Sequence, residues 1–322
     1  MNDPGRFAIS DRPTEGEIVQ IQAELDAFNR LATGTRYHFP GVKAPGLTFD
    51  LAVRGPSGSI VGGINVSSIL GVMWLEVLWV HEAHRGRGIA SWLVLEAERI
   101  AHERGCVGAG TWTFDWQGAG FYPRIGYELR GVYDGYPGGM TEHVLTKRLP
   151  GSRSVRSQVE ERAEGNRHGG YALVPHPTRD AMRAAHRGLR EHCAAHVGEG
   201  AEYAGDEVCL AQRNGAGILV GGLVASTPVR VLALEEIWID ERFRGLGHGR
   251  ELVEAAERVA REAGCVAAQA CVLSFQSPAF FHALGYTCFG TVDVYPGEYV
   301  EDLLIKRWSS DAHRADGENV AC

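Results

Sequence analysis

Apolar positions along the 322-residue chain follow two rhythms, and the order of the rhythms predicts the elements. Residues 7–10 suit a short opening strand. Over 17–31, Ile18, Ile21, Leu25 and Phe28 keep near-helical spacing and predict a helix. Residues 49–53 and 60–67 read as strands separated by a Gly-Pro-Ser-Gly turn. Residues 73–80 form a strongly apolar strand with one charge, Glu76. A helix is expected over 89–103, with Ile89, Leu93, Ala97, Ile100 and Ala101 on one face and Gly105 as its stop. Then come a strand over 107–114, a short helix over 118–125, and a hairpin of 128–133 with 143–147 across a Tyr-Pro-Gly-Gly turn. This order predicts an α+β fold: a mixed, mostly antiparallel sheet flanked by helices.

The pattern then repeats. Shifting the chain by about 159 residues lays 61–148 over 220–307 without a gap, with about 36 of 88 positions identical, roughly 40%. Gly62-Gly63 meets Gly221-Gly222, Glu76 meets Glu235, and Trp79 meets Trp238. Arg85-Gly86 meets Arg244-Gly245, and Gly105-Cys106-Val107 meets Gly264-Cys265-Val266. A period this long is a duplicated domain, not a solenoid repeat. The second copy opens with a strand over 172–174 and a helix over 178–196. The expected division is a first domain over 1–150, a polar linker over 151–170, a second domain over 171–308 and a polar tail over 309–322.

Composition narrows the class. The net charge of −8 and pI near 5.9 do not suit nucleic acid as the main partner. The opening residues are polar and broken by proline, unlike a signal peptide. The longest apolar runs are strand-sized, so no membrane partner is expected. Seven cysteines without framework spacing point to reduced thiols and a cytoplasmic chain. Cys106 and Cys265 read as buried apolar thiols. His192 and His196 lack an accompanying carboxylate motif and read as a solvated helix face, so no metal is expected.

The chemistry concentrates where the strand ending at Val80 runs into Arg85-Gly86-Arg87-Gly88-Ile89-Ala90 and a helix follows. Glycines let backbone approach a phosphate closely, and free N–H groups with the helix dipole favour an anion there. Arginine adds charge-assisted hydrogen bonds. The second copy repeats the turn as Arg244-Gly245-Leu246-Gly247-His248-Gly249. Walker A needs Gly-Lys-Ser/Thr, and the dinucleotide fingerprint needs glycine where Ser91 stands, so neither reading holds. Glu76 is a candidate base, being the one charge in its strand just before this turn. Asp115, Asp134, Glu142 and His143 are candidates for an acceptor mouth.

The loop, Leu75-Glu76-Val77-Leu78-Trp79-Val80 before it, and Phe121-Tyr122, Ile125-Gly126-Tyr127 and Lys147-Arg148-Leu149 after it resemble a small-molecule subgroup of bacterial GNAT N-acetyltransferases. The resemblance covers 6–149 and, more loosely, 171–308. It implies transfer of an acetyl or other small acyl group from coenzyme A to an amine by direct attack in a ternary complex. It implies that two central strands splay around the pantetheine arm, held by Leu78 and Val80 in one copy and Ile237 and Ile239 in the other. By the same resemblance Glu76 deprotonates the amine and Tyr122 protonates the departing thiolate. The second copy has Phe281 at the Tyr122 position, so chemistry is expected in the first copy and an auxiliary role in the second. Alternatives are a carrier-protein or aminoacyl-tRNA donor, or a non-catalytic acyl-CoA-binding module. The acceptor wall is expected from 28–46 and 192–205, and a monomer or homodimer from the duplication.

Overall fold

The computed structural model describes residues 7–33, 47–149, 170–197 and 205–308. The expected linker, apart from Gly170, the expected tail, and the stretches 34–46 and 198–204 of the expected acceptor wall lie outside the described residues.

The first half contains β1 (Phe7–Ser10), α1 (Glu15–Thr33), β2 (Phe49–Arg54), β3 (Ile60–Ile69) and β4 (Val72–Val80). It continues with α2 (Ile89–Glu103), β5 (Gly108–Phe114), β6 (Glu128–Tyr133) and β7 (Glu142–Arg148). The second half repeats the series as β8 (Ala172–Pro175), α3 (Arg179–Val197), β9 (Glu207–Asn214), β10 (Leu219–Ser226) and β11 (Val231–Ile239). It ends with α4 (His248–Glu262), β12 (Ala267–Leu273), α5 (Pro278–Ala283), β13 (Thr287–Val292) and β14 (Glu301–Arg307). The α+β architecture expected from the periodicity is the one observed. One element differs. The helix expected over 118–125 is instead a pair of 3-10 turns at Asp115–Gln117 and Tyr122–Ile125. Gly118 takes a left-handed φ of 99° between them, and Pro123 offers no N–H to extend an α-helix.

Among the described residues, all fourteen strands join one sheet, in the order β1-β9-β10-β11-β12-β14-β13-β6-β7-β5-β4-β3-β2-β8. Its centre is the single pairing Gly290↔Gly131 between β13 and β6. A Cβ on Gly290 would lie 2.4 Å from the Arg130 carbonyl, so only glycine lets the halves meet this closely. These two glycines occupy equivalent positions of the repeat, and the contacts around them are paired too. Arg307 bonds Asp134, and Arg148 bonds the Asp293 carbonyl. Apolar clusters cross the seam: Val72 and Val144 pack with Val292 and Leu303, and Phe114 and Tyr133 with Val231 and Ile305. The halves therefore share a core as well as a sheet.

The units expected over 1–150 and 171–308 exchange their opening segments. β1 pairs antiparallel with β9 of the second half, and β8 pairs antiparallel with β2 of the first. The helices follow their strands. On α1, capped by Thr14 and Glu17 bonding each other's backbone N–H, Ile21 packs against Ala211, Leu219 and Trp238. On α3, Met182 and Ala185 pack against Ala52 and Trp79. The repeated Gly-Gly pairs make room for this. A Cβ on Gly63 would sit 2.9 Å from the Ala185 Cβ, and one on Gly222 would sit 1.9 Å from the Ile21 Cδ1. Their neighbours Gly62 and Gly221 face the other layer, against Leu93 of α2 and Leu252 of α4. Helices thus press on the same strand from opposite sides, and alternation puts one glycine under each.

Two predictions follow from this packing. A chain ending at residue 149 loses β8 and α3, leaving β2 as an open edge and Trp79 uncovered. It is expected to self-associate in light scattering. A monomer as stable as the full chain would contradict the exchange. Separately, burial pushes the Glu142 carboxyl up to about 7, although Tyr136 donates to it at 2.6 Å. Glu301, bonded by Tyr295 at 2.8 Å, is likewise pushed up to about 7. An unfolded glutamate loses its proton near pH ~4.3. The folded chain holds the extra protons between those values, so stability falls as pH rises through this window and levels off above it. Each group costs on the order of 3 kcal/mol at pH 8. Urea midpoints should drop between pH 5 and 8, and Glu142→Gln with Glu301→Gln should flatten the profile.

Candidate active site

β4 and β5 pair in parallel only from Val72↔Gly108 to Leu75↔Thr111. At the next residue β4 bulges: Asn65 faces Val77 while Val66 faces Leu75, leaving Glu76 unmatched on β3. A bulge bends its strand and re-aims a side chain. Here β4 parts from β5 and the exposed Glu76 lines the cavity, with Ser67 of β3 donating to its carboxylate. The second half repeats the device. β11 and β12 part after Leu234↔Ala270, and the bulge falls on Glu235, which takes a bond from Ser226 at 2.6 Å.

Each gap opens onto a glycine-hinged turn. Gly86 and Gly88 have φ of 74° and 77°, and Gly245 and Gly247 have 75° and 95°, all left-handed values that favour glycine. A Cβ on Gly86, Gly245 or Gly247 would meet nothing within 4 Å, so open space, not crowding, surrounds these turns. α2 and α4 start directly after them, and neither has a side-chain N-cap. Their first N–H groups remain available to an anion. Arg85 Nε donates to the Val80 carbonyl at 3.0 Å, and Arg244 Nε to the Ile239 carbonyl at 2.9 Å, anchoring each guanidinium beside its turn.

The first-half cavity, about 560 Å³, brings together Glu76, Leu78, Val80, Arg85, Gly86, Gly88, Ile89, Ala90 and Tyr122. The second-half cavity, about 500 Å³, brings together Glu235, Ile237, Ile239, Arg244, Gly245, Gly247, His248, Gly249 and Phe281. Of the loop residues expected there, Arg87 and Leu246 do not line the cavities; both side chains are exposed. The acceptor-mouth candidates Asp115, Asp134, Glu142 and His143 do not line either cavity. Asp115 instead accepts from its neighbour Trp116 N–H at 3.0 Å, Asp134 holds Arg307, and Glu142 is buried under Tyr136.

Tyr122 packs edge-on between Phe121 and Tyr127. Burial holds its phenol above the ordinary range, and a bond with Thr111 only partly offsets this. The hydroxyl is therefore protonated at neutral pH and able to give a proton. Cys106 lies outside the cavity, with its thiol pushed up to about 11 by burial, which suits a packing role.

The far wall of each cavity belongs to the other half. Leu189 and His192 of α3 line the first, and Leu25 and Phe28 of α1 line the second. His192 and Phe28 begin the two stretches expected to form acceptor walls, and each lines a cleft; the imidazole leaves the solvated face also expected for it because α3 docks across the first half's strands. The signal that could have located this wall is the repeated glutamine. Gln117 accepts from the Phe114 N–H and donates to Cys193 Sγ at 3.3 Å. Gln276 accepts from the Leu273 N–H and donates to Asn29 Oδ1 at 3.0 Å. Each glutamine clamps the exchanged helix one residue beyond the wall side chain.

Two strands parting at a bulge onto an uncapped, glycine-hinged helix start, built twice, make a pair of anion-terminated clefts suited to a diphosphate-bearing thioester. The chain belongs to the acetyltransferase (GNAT) family, which matches residues 18–127 and 176–286. It is an acyltransferase, in keeping with its relatives. It is 39% identical over 100 residues to blasticidin-S acetyltransferase of Streptomyces morookaense, covering 30% of this chain and 71% of that protein. It is 32% identical over 100 residues to an acetyltransferase of Agrobacterium fabrum, covering 31% and 73%. A crystal structure of an acetyltransferase from Bacillus cereus is 30% identical, covers 44% of this chain and 96% of that one, and superposes with a TM-score of 0.39. Among the described residues, no helix is long and apolar enough to cross a membrane.

Proposed function

We propose that the first-half cleft transfers an acetyl or other small acyl group from coenzyme A to the amine of a small molecule, within the cytoplasm. The observation that carries this reading is the convergence of Glu76 and Tyr122 on one cleft whose open end is the Arg85-Gly86 turn. The diphosphate of the donor fits against the N–H groups of α2 and the Arg85 guanidinium. Its pantetheine arm fits along the edge of β4 beyond Leu75, where the ladder to β5 has stopped. Glu76 takes a proton from the acceptor ammonium, since an alkyl ammonium with pKa ~10 must be deprotonated before it attacks. The amine nitrogen then bonds to the thioester carbonyl carbon and sheds its second proton to solvent; as the carbon–sulfur bond breaks, Tyr122 gives its proton to the leaving thiolate and takes one back from solvent, leaving a neutral amide and free coenzyme A thiol. Direct transfer is favoured over a covalent acyl-enzyme because the described cysteines do not line this cleft.

The second-half cleft keeps the turn and Glu235, but Phe281 has no proton to give. It is an auxiliary coenzyme site. The relative named for blasticidin S makes amine-bearing antibiotics the first acceptors to try.

Labelled acetyl-CoA with a panel of primary amines, blasticidin S among them, tests the reading; no transfer to any amine would overturn it. Tyr122→Phe is expected to lower kcat about 100-fold, since positioned acids contribute on that order, while leaving the KM for acetyl-CoA near wild type. Titration calorimetry with CoA should count two sites. Gly88→Val and Gly247→Val, which force a branched side chain into a left-handed turn, should each leave one. Only Gly88→Val should stop turnover.

A further inference from the structure

The two clefts sit on one repeated frame, so their differences isolate what the chemistry of one of them needs. The frame fixes the correspondence on the exchanged helices as well. Ala185 lies over Gly63 as Ile21 lies over Gly222. One turn further along stand Leu189 and Leu25, and a second turn on stand His192 and Phe28, each lining its cleft. The residues that follow, Cys193 and Asn29, take the bonds from Gln117 and Gln276.

Set side by side, the second cleft has apolar side chains at four matched positions where the first has polar ones. Thr111 is replaced by Ala270, Thr113 by Val272, Tyr122 by Phe281, and His192 by Phe28. Glu235 and Gln276 persist. The imidazole therefore goes with the proton-donating phenol, although the two come from opposite halves of the chain. His192 is also held in place. Its ring meets Trp116 at 5.7 Å and 61°, Trp116 stacks flat on Phe114, and the neighbouring Cys193 is tied to Gln117. Gly188, one turn before His192, lets α3 close onto Trp79, since a Cβ there would sit 2.2 Å from the indole.

We propose that His192 is an acceptor-positioning residue of the first-half cleft, hydrogen-bonding the incoming amine or a polar group beside it. The reaction centre is then composed from both halves: the donor cradle, Glu76 and Tyr122 from the first, and the acceptor wall from α3 of the second. The inference rests on the acyl-transfer reading above.

The test replaces His192 with the side chain the second cleft already accommodates. His192→Phe is expected to raise the KM for the amine that the wild-type protein acetylates fastest by about tenfold or more. The KM for acetyl-CoA should stay within about twofold, and the melting temperature should be unchanged. His192→Gln, which keeps a donor and an acceptor at similar reach, should recover most of the loss. Wild-type kinetics in His192→Phe would overturn the assignment. So would a His192→Gln variant as impaired as His192→Phe, which would mark a packing role instead. Absence of transfer by the wild-type protein to any amine is the distinct outcome that overturns the functional reading, and this inference falls with it.

Discussion

The constraint on which the molecule turns is the early end of a parallel ladder. β4 and β5 do not stay paired past Leu75 and Thr111, because the bulge at Glu76 bends β4 away from β5 while it stays paired with β3. Everything the site needs follows from that parting. Backbone groups that would have bonded β5 face a gap. The glutamate on the bulge lines the cavity beside it. The strand then reaches the glycine turn at an angle that aims the start of α2 across the opening. A flat sheet with the same residues would bury Glu76 in a ladder and close the cleft. The same divergence at Leu234 and Ala270 makes the second cleft, so the feature belongs to the repeated frame and not to one local sequence.

Much of this frame is legible in the sequence, for a physical reason. Periodicity reports which face of an element is buried, and turn glycines report where φ must be positive. Hence α2 runs Ile89–Glu103 as its apolar face predicts, and the Arg85 to Ala90 turn lies where a strand meets a helix. What periodicity does not report is the identity of the partner. Ile21, Leu25 and Phe28 mark a helix with one apolar face, but that face fits Gly222 and Trp238 as readily as Gly63 and Trp79. The duplication offers two nearly identical docking surfaces, so the exchange of β1-α1 with β8-α3 leaves no trace in the pattern. The rim carboxylates fail for local reasons: Asp115 stays exposed and bonded to its own neighbour, and Glu142 is buried under Tyr136. The wall expected to begin at His192 does line a cleft, but the exchange makes it the first half's cleft.

The seam carries a second lesson in how a repeated sequence builds an asymmetric object. Gly131 meets Gly290, and Arg307 on Asp134 mirrors Arg148 on Asp293, so the junction is close to two-fold there; the Arg130–Asp293 pair has no counterpart, because Phe289 stands at the matching position. The cavities are not. The docking-strand glycine pairs, the bulged glutamates and the clamping glutamines are kept in both halves, while the cavity walls differ at Thr111/Ala270, Thr113/Val272 and Tyr122/Phe281. Stability is thus held in common, while cavity chemistry is free to differ. Mixed apolar clusters at the seam reinforce this, since neither half can lose its fold without exposing part of the other's core.

Exchange also alters what it means for one cleft to lose its acid. In two independent domains, a half without the tyrosine would contribute nothing to the other's reaction. Here the second half supplies α3, and α3 closes the cleft that retains Tyr122. Phe281 can therefore replace the phenol with no penalty to the acceptor wall at the first cleft, because that wall depends on Gly188, Leu189 and His192, not on the second cleft's lining. The reverse also holds: α1, from the half that carries Tyr122, packs Phe28 beneath Arg244 at 4.9 Å and gives the second cleft an aromatic wall. Each half is scaffold for its neighbour's cleft, so under the proposed function the two copies work as one unit and the second is not a spare.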